Sequence, residues 1–465
     1  MKLARMLLVT VAAAGLSAQT NFTPPTPLFR EVMRNNTAAA KELLTQGADP
    51  NQGRLAGFPP IFFCVAHQNL ELFKAMAAMG ADLQIRDRSG STLLMWAAFD
   101  EAGRTEMLEE LLRLGMDVNA RNTQGETALT WALRRGDTAI VKMLRKAGAS
   151  NLEDVKTAVQ SAIAVLEKTG PSFVKVSGCV SCHHQALPQM ALGVARTRGL
   201  ALDEQTSQQQ VNAVMGMFRP LQEAMEHKTE AIPDPEISVS YALLGLAGQG
   251  YAPDATTAAM ANLLSSLQRS DGRFHTLPVR PPLESSDFTA TALSLRAIQL
   301  YGSPFSGQVQ RAAGWLLAEE PRSTEDRAMQ LLGLHWAKTD QSEIARVAQA
   351  LLADQRPDGG WAQLPGLETD AYATGQALVA LRRSGVLSVW NPAYQRGVDF
   401  LLRTQMPDGS WLVRTRSFPV QPLKDSGFPH GKNQWISAAG TSWAAIALSL
   451  SLPPTREEAE RSLNW

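Results

Sequence analysis

The feature that most constrains this 465-residue chain is that it repeats itself twice, at two different periods. Near the start, GADPN (47–51), GADLQ (80–84), GMDVN (115–119) and GAS (148–150) recur with their glycines 33, 35 and 33 residues apart. A helical pattern precedes each, as in AAAKELLTQ, LELFKAMAAM, MLEELLRL and AIVKMLRKA. From 152 onward the period lengthens to roughly 50 residues, and LSSLQRSDGRF (264–274), LLADQRPDGGW (351–361) and LLRTQMPDGSW (401–411) share one plan. A fixed period marks stacked supersecondary units, each of which buries its apolar face only against its neighbours. The chemistry of the second phrase is structural. A helix ends near the Gln, whose amide can bond free carbonyls at the turn, Asp-Gly reverses the chain, and the ring covers the helix end.

The first repeat system resembles the ankyrin repeat family. Its T-x-L-x-x-A first helix is carried by STLLMWAA and ETALTWAL, and a Gly ends each Leu-rich second helix. About four units fill 24–150, and the second departs from the pattern with FPPIFFCVA where the Thr-containing turn belongs. Cys64 in that stretch reads as a small buried core residue. The resemblance implies a protein partner held on the ankyrin surface, or a docked cap that stabilises the following domain. The longer phrase, complete in RGVDFLLRTQMPDGSW (396–411), is similar to the Q-W motif of the squalene cyclase and prenyltransferase superfamily. That resemblance covers 152–452 and leaves a tail over 453–465. Six alanine-rich inner helices alternate there with amphipathic outer ones near 152–168, 204–227, 254–268, 306–319, 341–354 and 391–404. The expected fold class is therefore all-α: an ankyrin repeat array followed by an α6/α6 toroid.

The family's cyclases protonate an alkene with a D-x-D-D motif, which this chain lacks. The nearest positions, Asp287 in ESSDFTA and Asp370 in ETDAYA, are lone carboxylates at helix starts, where Asp ordinarily caps the helix. They are the weak catalytic candidates. An enzyme or binder acting on an apolar or isoprenoid ligand in the toroid cavity is one alternative the resemblance implies. A non-catalytic interaction scaffold with a structural Cys pair is another.

MKLARMLLVTVAAAGLSAQT at the start reads as an export signal with a cut after Ala18, which predicts a periplasmic or extracellular protein. No other apolar run reaches about 18 residues, so no transmembrane span is expected in the mature chain. Lys plus Arg balance Asp plus Glu at 44 each, and no basic patch interleaves with aromatics. Nothing there invites nucleic acid.

Against this background CVSCHHQ (179–185) stands out, because it holds two of three cysteines and two of seven histidines. The alignment of hairpins expects it at the start of an inner helix, beside the cavity. Cys179-Val-Ser-Cys182-His183 fits the C-x-x-C-H of covalent haem c attachment. The two thiols would be the anchors and His183 the iron ligand, with Met190, His275 or His430 as a possible second ligand. The protein would then be a haem-bearing binding or electron-transfer protein. Three readings stay open beside it. One is a zinc site using Cys179, Cys182 and His183 or His184 with a distant fourth ligand such as His430. Another is a short disulfide between Cys179 and Cys182. The last is an internal thioester between Cys182 and Gln185, which resembles the C-x-E-Q of complement-type toroids with His184 in place of the Glu.

Overall fold

The computed structural model describes residues 26–455 apart from 56, 137, 150–151, 230–231, 278–279, 303–305, 390 and 419–421. The expected export signal over 1–18 and most of the tail over 453–465 lie outside the described residues. The chain divides into two compact units, Met1–Asn151 and Leu152–Trp465.

In the first unit the described helices come in four pairs. These are α1 (Pro27–Met33) with α2 (Thr37–Thr45), α3 (Pro60–Ala66) with α4 (Leu70–Ala78), α5 (Leu93–Ala98) with α6 (Glu106–Arg113), and α7 (Ala128–Leu133) with α8 (Ala139–Lys146). Thr92 and Thr127 cap α5 and α7 by accepting from the amides of Met95 and Thr130. The divergent second unit uses proline instead: Pro60 opens α3 with no side-chain cap. Every second helix ends at a glycine with φ of +89° (Gly47), +86° (Gly80), +74° (Gly115) or +89° (Gly148). Nothing lies within 4 Å of where a Cβ would sit at these four, so the backbone angle alone selects glycine. The next amide then closes the turn, Ala48 onto Leu43, Ala81 onto Met76, Met116 onto Leu111 and Ala149 onto Leu144. Asn51 and Asn119 stitch repeats together by donating to the carbonyls of Gly80 and Gly148, each at 2.9 Å. Leu72, Phe73, Met76, Leu108 and Leu111 fill the shared core, and Cys64 is buried in it, its thiol pushed up to about 12 by burial.

The second unit opens with α9 (Leu152–Ser177), a wide π-type turn over Cys182–Ala186 and α10 (Leu187–Thr197). It continues with α11 (Glu204–Phe218), α12 (Gln222–Glu226), α13 (Pro235–Gly248), α14 (Ala255–Leu267) and α15 (Asp287–Tyr301). Then come α16 (Ser306–Ala318), α17 (Thr324–Trp336), α18 (Gln341–Ala353), α19 (Ala371–Arg383), α20 (Pro392–Thr404) and α21 (Gln434–Ser451). A two-residue antiparallel pair, β1 (Trp361–Ala362) and β2 (Thr369–Asp370), precedes α19. The inner helices touch in the order α10, α13, α15, α17, α19, α21 and back to α10, which closes a six-hairpin α/α toroid. Small residues let them approach. A Cβ on Gly193 would sit 2.0 Å from the Gly248 carbonyl oxygen, and one on Gly375 would sit 2.6 Å from the Trp443 backbone.

The three turn phrases do identical work. Gln268, Gln355 and Gln405 each donate twice, once to the glycine carbonyl of their own turn and once to the next outer helix. The outer acceptors are Gln308 on α16, Ala393 on α20 and Ala158 on α9, at 2.9, 2.7 and 2.8 Å. The last of these crosses from the end of the chain to its first toroid helix and so ties the ring shut. The amides of Phe274, Trp361 and Trp411 donate to Thr291, Thr374 and Thr441 on the following inner helix. Both tryptophans also donate to the carbonyl ending the preceding outer helix, Trp361 to Leu351 and Trp411 to Leu401, at 2.8 Å. Phe274 covers that end without a polar bond, because it has no ring N–H. Among the described residues, no helix is long and apolar enough to cross a membrane.

Candidate functional site

The turn before α10 has one residue more than an α-helical turn. The Ala186 amide reaches back five residues to the Ser181 carbonyl, while Ser181 Oγ accepts from the His184 amide at 3.2 Å. Wide turns of this kind are frequent at functional sites. This one seats Cys179, Cys182 and His183 on the wall of a cavity of about 320 Å³. Phe173, Phe218, Ile237, Leu283 and Trp435 line its apolar side, Lys432 brings positive charge to it, and Arg280 is paired there with Glu284 at 2.6 Å.

His183 and His184 sit between aromatic plates. The His183 ring stacks on Trp435 with centroids 5.2 Å apart, and the His184 ring stacks on Phe173 at 4.7 Å. Their Nδ1 atoms meet at 2.5 Å. The proton positions along this contact follow from the partners. Gln434 Oε1 accepts from the Ser426 amide, and Gln434 Nε2 donates to the Gly431 carbonyl, which fixes the amide's orientation. Ser426 Oγ must therefore give its one proton to Gln434 Oε1 at 2.9 Å, and it accepts from the Phe428 amide and from His184 Nε2 at 2.8 Å. His184 is then protonated on Nε2 and presents a bare Nδ1 to His183. His183 must be protonated on Nδ1, which leaves the lone pair on its Nε2. Among the described residues no hydrogen-bond partner reaches that Nε2. Burial keeps both rings neutral: it holds His184 down at about 3, and His183 is well below its ordinary value through burial, then His184 and Arg280. A neutral imidazole with its one N–H spent on a protein acceptor is how metal-ligating histidines are held.

Both cysteines are free thiols, Cys179 exposed and Cys182 partly covered. The disulfide expectation thus finds separate sulfurs. Burial raises the Cys182 thiol far above its ordinary value, so it is a weak nucleophile unaided. The thioester expectation finds Gln185 engaged elsewhere. Its Oε1 accepts from Ser181 N and Oγ at 2.7 and 3.1 Å, and its Nε2 donates to the Gly170 carbonyl at 2.9 Å. Among the described residues no three His, Cys, Asp or Glu side chains gather closely enough to hold a metal ion by themselves, which is the set the zinc expectation needs. The suggested second ligands lie apart from the lining of this cavity. Met190 is in the core, His430 bonds Ser410 Oγ at 2.7 Å, and His275 bonds Asp287 at 3.0 Å.

A second cavity, of about 510 Å³, opens where the N-terminal ends of α15, α17 and α19 converge. Asp287 lines it, but it does not cap its helix as the sequence led us to expect. Ser286 takes that role through the Phe288 amide, and the Asp287 carboxylate is drawn instead to His275, Arg273 and the Thr276 amide. Asp370 does cap α19, accepting from Ala373 at 2.9 Å, and it stays off the cavity wall. Sequence reasoning missed Glu325 there, because STED reads as an ordinary capping box, and Ser323 and Asp326 indeed form one. Glu325 is buried, accepts from Thr289 at 2.8 Å and Tyr372 at 3.1 Å, and is pushed by burial up to about 8.

Residues 321–465 match the squalene-hopene cyclase C-terminal domain, and 61–156 match ankyrin repeats in three copies. The toroid is cyclase-like. Lanosterol synthase of Candida albicans is 29% identical over 126 residues, 27% of this chain and 16% of that enzyme. Drimenyl diphosphate synthase of Streptantibioticus cattleyicolor is 37% identical over 73 residues, 16% of this chain and 13% of its own. Alpha-onocerin synthase of Lycopodium clavatum is 26% identical over 189 residues, 40% of this chain and 22% of its own. The chain spans less than a quarter of the length of each of these relatives.

Proposed function

We propose that the cyclase-like toroid is an exported haem c carrier, with the macrocycle seated in the cavity beside CVSCH. The observation that carries this reading is the set of groups on one apolar wall: two free thiols three residues apart, and an imidazole whose bare Nε2 is dictated by the His184–Ser426–Gln434 chain. Cys179 and Cys182 would each add S–H across one vinyl group, the sulfur to one carbon and the hydrogen to its neighbour. His183 Nε2 would ligate the iron, with Phe173 and Trp435 holding the ring pair in place. Lys432 would meet a propionate, since cations partner carboxylates strongly at a partly buried site, while Arg280 stays paired with Glu284 at 2.6 Å. The bound group would supply one-electron transfer or small-ligand binding at its open face. Residues 1–18, acting as an export signal, would deliver the chain to the compartment where such attachment occurs. The ankyrin unit would hold a protein partner. Its partly buried Trp96 and Trp131 neighbour each other on successive first helices, fixed by Asp87 and Glu126 at 3.0 and 2.8 Å.

The test is periplasmic expression with haem-attachment machinery, read by intact mass and absorbance. A mass gain of one haem with a Soret band is expected, and Cys182→Ala should remove the two-thioether product. A colourless protein of unmodified mass would refute the reading.

A further inference from the structure

The wall of the second cavity carries a cation that the acids around it leave open. Arg416 donates from Nε to Gln363 Oε1 at 2.8 Å, and among the described residues its Nη1 and Nη2 meet no hydrogen-bond acceptor. Those two nitrogens are not sealed off by protein, so they are within reach from the cavity they line. The guanidinium is positioned from behind. Gln363 is buried, and its Nε2 donates to Asp370 Oδ2 at 2.8 Å, which turns its Oε1 toward Arg416. Asp370 also caps α19, so one amide ties Arg416 to a helix start. A bond to Nε leaves the Nη1–Nη2 edge unspent, and its two parallel N–H bonds match the two oxygens of a carboxylate.

The carboxylates of the wall are engaged elsewhere. Asp287 accepts from Arg273 at 3.2 Å, from His275 at 3.0 Å and from the Thr276 amide. Asp326 accepts from the amides of Arg322 and Ser323 at 2.9 and 3.0 Å and from Ser286 Oγ. Glu325 is near enough to feel the charge of Arg416, but burial pushes it up to about 8, so at neutral pH it is an uncharged carboxyl. Glu319, Glu320 and Arg322 are exposed at the mouth, where water and salt screen them. Phe288 and Trp315, with centroids 5.0 Å apart, and Leu364 supply apolar surface to the same space. One unmatched positive charge beside apolar surface selects a single negative charge on an apolar body. A dianionic phosphate would need a second open cation inside, and an uncharged hydrocarbon would desolvate the guanidinium edge without giving it an acceptor.

We infer that this cavity binds an apolar monocarboxylate, its two oxygens on the Nη1–Nη2 edge of Arg416 and its hydrocarbon body against Phe288, Trp315 and Leu364. The inference is independent of the haem site.

Isothermal titration of the full chain at pH 7 with octanoate and naphthoate tests it, with octanamide, naphthamide and octyl phosphate as controls. At least one acid should bind below millimolar concentration, and its amide should bind at least tenfold more weakly. Arg416→Gln should weaken the acid tenfold or more and leave the melting temperature of the unliganded protein intact, because the side chain makes a single hydrogen bond. The comparison of acid with amide uses the unaltered protein, so it decides the matter even if Arg416→Gln folds poorly. The inference is overturned if neither acid binds at millimolar concentration, if acid and amide bind alike, or if a folded Arg416→Gln binds the acid as the wild type does. Tighter binding of octyl phosphate than of octanoate would overturn it too.

Discussion

Glu325→Gln tests the electrostatics of the toroid most directly. The carboxyl is buried, with Thr289 and Tyr372 bonded to it and Asp326, Arg416 and Tyr241 as its charged or titratable neighbours. Burial dominates, raising it from an ordinary 4.5 to about 8. In the unfolded chain this carboxyl releases its proton above 4.5, whereas in the fold it holds on until about 8, so between those values the native state binds more protons. Stability from this group is therefore fully present below about pH 4.5 and is lost as pH rises to about 8. At about 1.4 kcal/mol per pH unit, the rise from 4.5 to about 8 amounts to about 5 kcal/mol. Glutamine keeps the shape and cannot ionise. Urea unfolding of both proteins from pH 5 to 9, with the inner helices followed by hydrogen-exchange mass spectrometry, isolates the toroid's response. The wild type should lose stability relative to the variant by about 1.4 kcal/mol per pH unit up to about pH 8, then level off. A difference that is flat across this range, or that grows in the wild type's favour, would refute a protonated Glu325.

Three further outcomes follow from the geometry. Gln405→Ala removes the bonds to Gly409 and to Ala158 on the first toroid helix, and should cost about 1–3 kcal/mol by calorimetry. Gly409→Ala would place a Cβ 2.4 Å from the Ser161 carbonyl oxygen at φ +89°, so its melting temperature should fall further than that of Gly385→Ala, where nothing lies within 4 Å. Ser426→Ala deletes the hydroxyl that orders the imidazole pair, and ¹⁵N-histidine NMR should show His183 leaving its single Nδ1–H tautomer. An unchanged tautomer would mean the pair is set from elsewhere.

The helical architecture was readable in the chain because every device that builds it is local. The glycines at 47, 80, 115 and 148 end helices by backbone angle alone, and each Gln of the turn phrases lies four residues from the carbonyl it bonds. The position of CVSCH beside a cavity was likewise legible from its place in the hairpin order. Asp287 was misjudged as a cap because a carboxylate at a helix start looks the same whether it faces its own amides or, as here, His275 and Arg273.

By itself, the sequence determined the two repeat periods, the turn chemistry and the crowding of thiols and imidazoles into one turn, since these depend on residues a few positions apart. Only tertiary structure decided what those groups are chemically. The bare nitrogen of His183 is set by Ser426 and Gln434, which lie some 240 residues away along the chain. The proton on Glu325 is set by three helices that close over it. Protonation states are governed by dehydration and by the last hydrogen bond in a chain of partners, and neither exists until the ring has closed.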